Sequence, residues 1–216
     1  MGPPVALILA LKEKLRLDDF VETGTYRGDT AEWASEHFAR VATVELSPEY
    51  YAAALARFGA QPNVRVLQGD SGIRLRRLVA ELQGPAVFWL DAHWSGLDTA
   101  GRDTECPLIA ELAILNDAPH EHSLLVDDAR LFAAPPPRPL RAEKWPDLGA
   151  VLDALRAGGR RHVVIFEDVL IAVPVAARSF LTEWLQDEIA LQRAASSPVS
   201  WWKKLRQRIA GKGFPR

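Results

Sequence analysis

An α/β fold with a mostly parallel sheet is predicted by three observations. Short apolar runs alternate with helical patterns over most of the chain, glycine-bearing turns follow the early runs, and the last two runs almost touch. Such alternation marks βαβ units. The candidate strands are 19–23 (DFVET), 41–46 (VATVEL), 64–69 (VRVLQG), 86–92 (AVFWLDA), 123–129 (SLLVDDA), 162–167 (HVVIFE) and 169–174 (VLIAVP). Helical patterns lie near 29–39, 48–58, 71–83, 107–117 and 147–157. Only Glu167 and Asp168 separate the last two strands, too few for a parallel crossover, so these two pair as an antiparallel hairpin. The expectation is a Rossmann-like, mostly parallel seven-stranded sheet with an antiparallel last strand and helices on both faces.

The 216 residues, 48% hydrophobic and 25% charged, suit one domain with a full core, expected over 1–195, followed by a basic tail over 196–216. The single cysteine, Cys106, cannot form an internal disulfide, so a cytoplasmic location is expected. PPVALILALKEKLRL near the start is too short in its uncharged run to span a bilayer and reads as a soluble helix. AAPPPRPLRAEKWPD (133–147) reads as a surface loop beside the strand ends, since each proline lacks an amide donor.

In an open α/β sheet, ligands sit outside the carboxyl ends of the strands. The first strand ends in VETGTYRGDT, where Gly24 permits a sharp turn and Gly28 with Asp29 opens a helix. The second ends on Glu45, about 20 residues further on, where dinucleotide-type folds place an acid on a ribose diol. The third ends on QGDS, placing Asp70 and Ser71 beside the same opening. Helix N-capping is the competing role for Glu45 and Asp70, with Ser47 the better cap near Glu45. A nicotinamide dinucleotide would call for G-x-G-x-x-G, a spacing that Gly24 to Gly28 does not have.

VETGTYRGDT, VATVELS, VLQGDS and FWLDAHW, in this order, resemble the four motifs of class I S-adenosylmethionine-dependent methyltransferases, over roughly residues 18–174. The resemblance implies S-adenosylmethionine as cofactor, held by Glu22, Gly24, Thr25, Gly28, Glu45, Asp70 and Ser71. The glycine turn would carry the methionine part, Glu45 the ribose hydroxyls, and Asp70 would lie by the adenine. Thr-Tyr-Arg stands between the glycines where the family has a further glycine.

Asp91 after the fourth strand and Asp127 and Asp128 after the fifth are expected to converge. Three oxygen ligands suit a hard divalent ion such as Mg²⁺. The set also resembles metal-dependent O-methyltransferases of the catechol and caffeoyl-CoA type, which have Asp-Asn where this chain has Asp-Asp. The lysine base of the catechol enzymes is replaced here by Trp94, so His93 is the expected base, with Asp91 beside it. The competing reading pairs Asp127 or Asp128 with Arg130 or Arg102. HEH (120–122) lacks zinc spacing and reads as a polar loop. Ser95, Asp98, Thr99, Arg102 and Asp103 suit a small hydroxylated or glycan acceptor, and the expected reaction is O-methylation.

The net charge of −2 hides an asymmetry. Lys203, Lys204, Arg206, Arg208, Lys212 and Arg216 leave the rest of the chain with 20 cations against 28 acids. An acidic body disfavours nucleic acid as a partner. Trp201, Trp202, Leu205 and Ile209 fall on one helical face, the pattern of an interfacial helix, so residues 197–212 could meet the inner face of the membrane or a protein partner, the alternatives being packing on the acidic body or a frayed end. A fold that binds cofactor without catalysis and docks through this tail is the alternative function.

Overall fold

The structure is a computed structural model in which residues 2–94 and 100–196 are described. Residues 197–216 of the expected tail, and Ser95, Asp98 and Thr99 of the expected acceptor loop, lie outside the described residues. The chain divides into two compact units, Met1–Val175 and Ala176–Arg216.

All seven strands belong to the first unit, in the order β3-β2-β1-β4-β5-β7-β6. They are β1 (Asp19–Thr23), β2 (Arg40–Glu45), β3 (Val64–Gln68), β4 (Ala86–Leu90), β5 (Ser123–Val126), β6 (Arg161–Phe166) and β7 (Val169–Pro174). β1 to β5 pair in parallel, while β7 runs antiparallel to both β5 and β6, so the reversed last strand is as the sequence predicts. β1, β4, β5 and β7 are buried along their whole length, which is why their sequences are continuous apolar runs rather than alternating ones.

The helices of this unit are α1 (Val5–Leu15), α2 (Asp29–His37), α3 (Pro48–Phe58), α4 (Ser71–Glu81), α5 (Leu108–Asn116), the short α6 (Arg130–Ala133) and α7 (Leu148–Arg156). α4, α5 and α7 lie side by side, and Leu75, Leu112 and Val151 join Phe88 and Leu124 of the sheet in the main core. α2 and α3 pack on β2 and β3, with Ala31, Ala54 and Phe58 forming a separate cluster. The second unit contains α8 (Arg178–Ser196), a helix not expected from the sequence although Leu181, Leu185 and Ile189 recur every four residues. Among the described residues no helix is long and apolar enough to cross a membrane.

The chain leaves the sheet through turns that need special backbone angles. Gly24, Gly28 and Gly69 have φ of 89°, 84° and 133°. The Glu167–Asp168 turn has positive φ at both positions, 47° and 66°, the shape that lets a two-residue hairpin follow the strand twist.

Candidate active site

The carboxyl ends of β1 to β4 open onto one cleft of about 160 Å³, whose wall includes Gly24, Glu45, Asp70, Ser71, Asp91 and His93. Six of the residues singled out in the sequence therefore face a single opening. Gly24 is required by contact as well as by angle. A Cβ there would stand 2.4 Å from the Asp91 carbonyl oxygen, so the glycine turn can lie directly on the end of β4.

Glu45 is buried, and its two carboxylate oxygens accept from the Tyr26 amide at 2.8 Å and the Ser47 amide at 2.7 Å. The carboxylate thus ties the glycine turn to the start of α3 while remaining on the cleft wall. Capping falls to Ser47, whose hydroxyl accepts from the Tyr50 amide at 3.4 Å. Asp70 stands at the N-cap position of α4 without a side-chain cap bond, which leaves its carboxylate on the cleft rather than on the helix.

Glu22, Thr25 and Gly28 lie behind this wall. Thr43 donates to Glu22 at 2.7 Å and meets the Thr25 hydroxyl at 2.6 Å, a buried chain that links the first turn to β2. Burial, with the charges of Asp91 and Glu45 adding to it, pushes the Glu22 carboxyl up to about 8. A Cβ at Gly28 would press on the Phe58 ring at 2.7 Å, so this glycine serves the seating of α2 on α3.

On the other side of the cleft the ladder continues one residue past each strand, with Asp91 N donating to Thr23 O at 3.0 Å and Asp127 N to Leu90 O at 3.2 Å. This brings the acids of β4 and β5 next to one another. His93 stands between two of them, with Nδ1 3.3 Å from Asp91 Oδ1 and Nε2 3.0 Å from Asp128 Oδ2. Burial alone would lower the pKa of His93, but its hydrogen bond to Asp128 and the charge of Asp91 outweigh burial and raise it. Burial first, and then the neighbouring acids, raise Asp91 to about 7, while the His93 bond lowers Asp128.

Arg130 is the further partner of Asp128, with Nη1 2.7 Å from Oδ1, and it also pairs with Asp168 of the β6–β7 turn. Of the two arginines considered for the aspartate pair, Arg130 takes the role. Arg102 instead offers its carbonyl oxygen to Arg141. Charges therefore alternate along Asp91, His93, Arg130 and their carboxylate neighbours, which offsets the cost of placing two aspartates together.

These positions bear on the expected Mg²⁺. The imidazole lies between Asp91 and Asp128, and Asp127 Oδ1 accepts from the Asp128 amide at 2.7 Å. Among the described residues no group of three or more His, Cys, Asp or Glu side chains is placed to hold an ion. As they stand, the three carboxylates do not fit an ion unless His93 gives way.

Several residues beside His93 were not legible from motifs. Glu105, with a fully buried side chain, accepts from the Arg141 amide at 2.8 Å, Arg141 Nε at 2.6 Å and Trp145 Nε1 at 3.1 Å. It fastens the proline-rich segment to the loop before α5 and sets the Trp145 ring edge-on to His93, with centroids 5.4 Å apart. Glu111 of α5 is buried beneath the site and raised by desolvation to about 7. The spacing of these acids from the strand ends gives no local signal. His122 of the HEH stretch is buried rather than on a polar loop, and its Nδ1 accepts from the Ala86 amide at 3.1 Å. Burial lowers it to about 4, so it stays neutral as an acceptor at the opposite end of the sheet.

No family model matches the chain, and no curated protein matches it by sequence. Solved structures do. A putative caffeoyl-CoA O-methyltransferase from Staphylococcus aureus aligns with a TM-score of 0.55 at 15% identity, over 81% of this chain and 85% of that one. A methyltransferase from Podospora anserina, bound to S-adenosylhomocysteine (SAH), aligns at 0.53 with 17% identity over 81% and 80%. An O-methyltransferase from Bacillus cereus in complex with SAH aligns at 0.53 with 14% identity over 80% and 82%. The chain has the class I methyltransferase fold.

Proposed function

We propose that this protein is an S-adenosylmethionine-dependent methyltransferase that methylates a hydroxyl of a small hydroxylated or glycan acceptor. The observation that carries the reading is that one cleft joins the glycine turn, Glu45 and Asp70 on one side to Asp91 and His93 on the other. The cofactor side fits the group. Gly24 allows close backbone approach, Glu45 keeps a carboxylate on the wall for a ribose diol, and Asp70 is not consumed by capping. Backbone atoms of the 24–28 turn would hold the methionine part, with Ser71 beside Asp70 at the adenine end.

S-adenosylmethionine, when bound, supplies an electrophilic methyl on a sulfonium. The attacking hydroxyl must lose its proton as its oxygen bonds to that carbon and the carbon–sulfur bond breaks. Asp91 is placed to take this proton, since it faces the cleft and its carboxyl is raised to about 7, near the value at which a base works best at neutral pH. His93, expected from the sequence as the base, has both nitrogens against carboxylates and serves better as the partner that holds Asp91 and Asp128 in place.

Titration calorimetry with S-adenosylmethionine and SAH tests the reading. Wild type should bind both, and Glu45→Ala should weaken binding at least tenfold, about 1.4 kcal/mol. Absence of binding, or a Glu45→Ala variant equal to wild type, would overturn it. A divalent ion at Asp91, Asp127 and Asp128 remains the competing account of the acids. Acceptor methylation that depends on Mg²⁺ and is abolished by a chelator would establish it, and turnover indifferent to both would dismiss it.

A further inference from the structure

We propose that Asp168, at the tip of the β6–β7 hairpin, is a positioning residue for the Asp91–His93 pair. Its purpose rests on the methyltransferase reading; its geometry does not. The register of β7 on β5 pairs Val126 with Leu170, and one more antiparallel step in each direction brings the hairpin tip beside the Asp127–Asp128 corner. There Asp168 grips the chain just after Asp128. Its carbonyl oxygen accepts from the Ala129 amide at 2.8 Å, its Oδ1 accepts from the Arg130 amide at 2.7 Å, and its Oδ2 pairs with the Arg130 guanidinium.

Asp128 itself has φ 56°, a left-handed conformation unfavourable for a side chain other than glycine. That bend turns the chain from β5 into α6 while its carboxylate meets His93 and Arg130. The grip on Ala129 and Arg130 holds the bend. Arg130 is 57% exposed at its side chain, so without a second anchor its guanidinium would be free to leave Asp128 for solvent. Asp168 supplies that anchor and completes an alternating series of charges, Asp168, Arg130, Asp128, His93, Asp91, from the hairpin to the cleft.

Aspartate is a common turn residue that tolerates a left-handed conformation, but here it carries more than the turn requires. Asp168 sits at φ 66°, where glycine costs less, and what aspartate adds over glycine is a carboxylate aimed at Arg130. The turn thus accepts backbone strain in exchange for a charge at the site.

The test uses the full-length chain labelled with ¹⁵N-histidine, with His93→Gln to assign the His93 ring signals. Asp168→Gly suits the turn and removes only the carboxylate; Arg130→Met leaves the turn untouched and removes the link. Both should displace the His93 ring nitrogen signals from their wild-type positions, because the Asp128 carboxylate that meets Nε2 is no longer held on its other side. Asp168→Gly should at the same time keep SAH affinity within about twofold of wild type. His93 signals unchanged in both variants would overturn the proposal. Should wild type bind no SAH, the functional reading fails, while the His93 signals still decide the role of Asp168.

Discussion

The two sides of the cleft are built by different means. On the cofactor side, the determinants lie within or just after β1, β2 and β3, and the ties between them are made by main-chain amides: Gly24 N to Val44 O at 2.9 Å, Gly69 N to Glu45 O at 2.8 Å, and the Tyr26 amide to the Glu45 carboxylate. On the acceptor side, the ties are side chain to side chain and span long separations, 38 residues between Arg130 and Asp168 and 36 between Glu105 and Arg141. Backbone geometry fixes the first half and compensated charge fixes the second. The two halves should therefore respond to different perturbations.

The largest effect is expected where backbone approach is tightest. Gly24→Ala places a Cβ 2.4 Å from the Asp91 carbonyl oxygen at a φ of 89°, so both contact and conformation oppose it. Neither obstacle is a flexible side chain that could move aside. Loss of more than about 3 kcal/mol of stability is expected, with loss of cofactor binding. Denaturant unfolding and calorimetry check this together, and a variant with wild-type stability and affinity would break the claim that close approach shapes this half.

The same contrast explains what the sequence disclosed. All seven strands, the reversed last strand and the residues Gly24, Glu45 and Asp70 were legible because each announces itself locally, by an apolar run or by an acid at a strand end. Glu105, Arg141 and Trp145 were not, because their partnership exists only once the proline-rich segment lies against the loop before α5. The Asp127–Asp128 pair was conspicuous, yet its partners divide. Arg130 was visible two residues away, whereas Asp168 needed the register of β7 on β5. His93 stood out in the sequence as the expected base, but its place between two carboxylates was not readable from spacing.

Buried charge under the acceptor side gives the next prediction. Glu111 has an ordinary pKa of 4.5 and is raised by desolvation to about 7 in the folded chain. Between these values the folded state keeps a proton that the unfolded state has released. The stabilisation is therefore complete below 4.5 and is lost as pH rises through 7. The largest loss is about 3 kcal/mol at alkaline pH. Glu111→Gln should remove this dependence, so that unfolding free energies measured at pH 5 and pH 8 differ less than in wild type and the variant is the more stable at pH 8. Glu22, raised to about 8, adds a slope of the same sign in both proteins, so it is the difference between the two that isolates Glu111. Equal slopes would mean that the acceptor side does not carry this charge cost.

The smallest effect separates two neighbours that the sequence left as rivals for one task. Ser47 caps α3 through its hydroxyl, over a long 3.4 Å bond, whereas its amide serves Glu45. Ser47→Ala removes the cap and keeps the amide. It should cost about 0.5–1 kcal/mol of stability, at the low end for a cap because the bond is long, and leave SAH affinity within about twofold. Glu45→Ala should do the reverse in proportion, acting mainly on affinity, because its carboxylate lies on the cleft wall, as does Tyr26, one of the two residues whose amides it receives. Comparing the ratio of stability change to affinity change in the two variants shows whether Glu45 is kept for its ligand or for its helix. If both variants weaken SAH binding equally, Glu45 acts only by holding α3, and the ribose role of its carboxylate is lost.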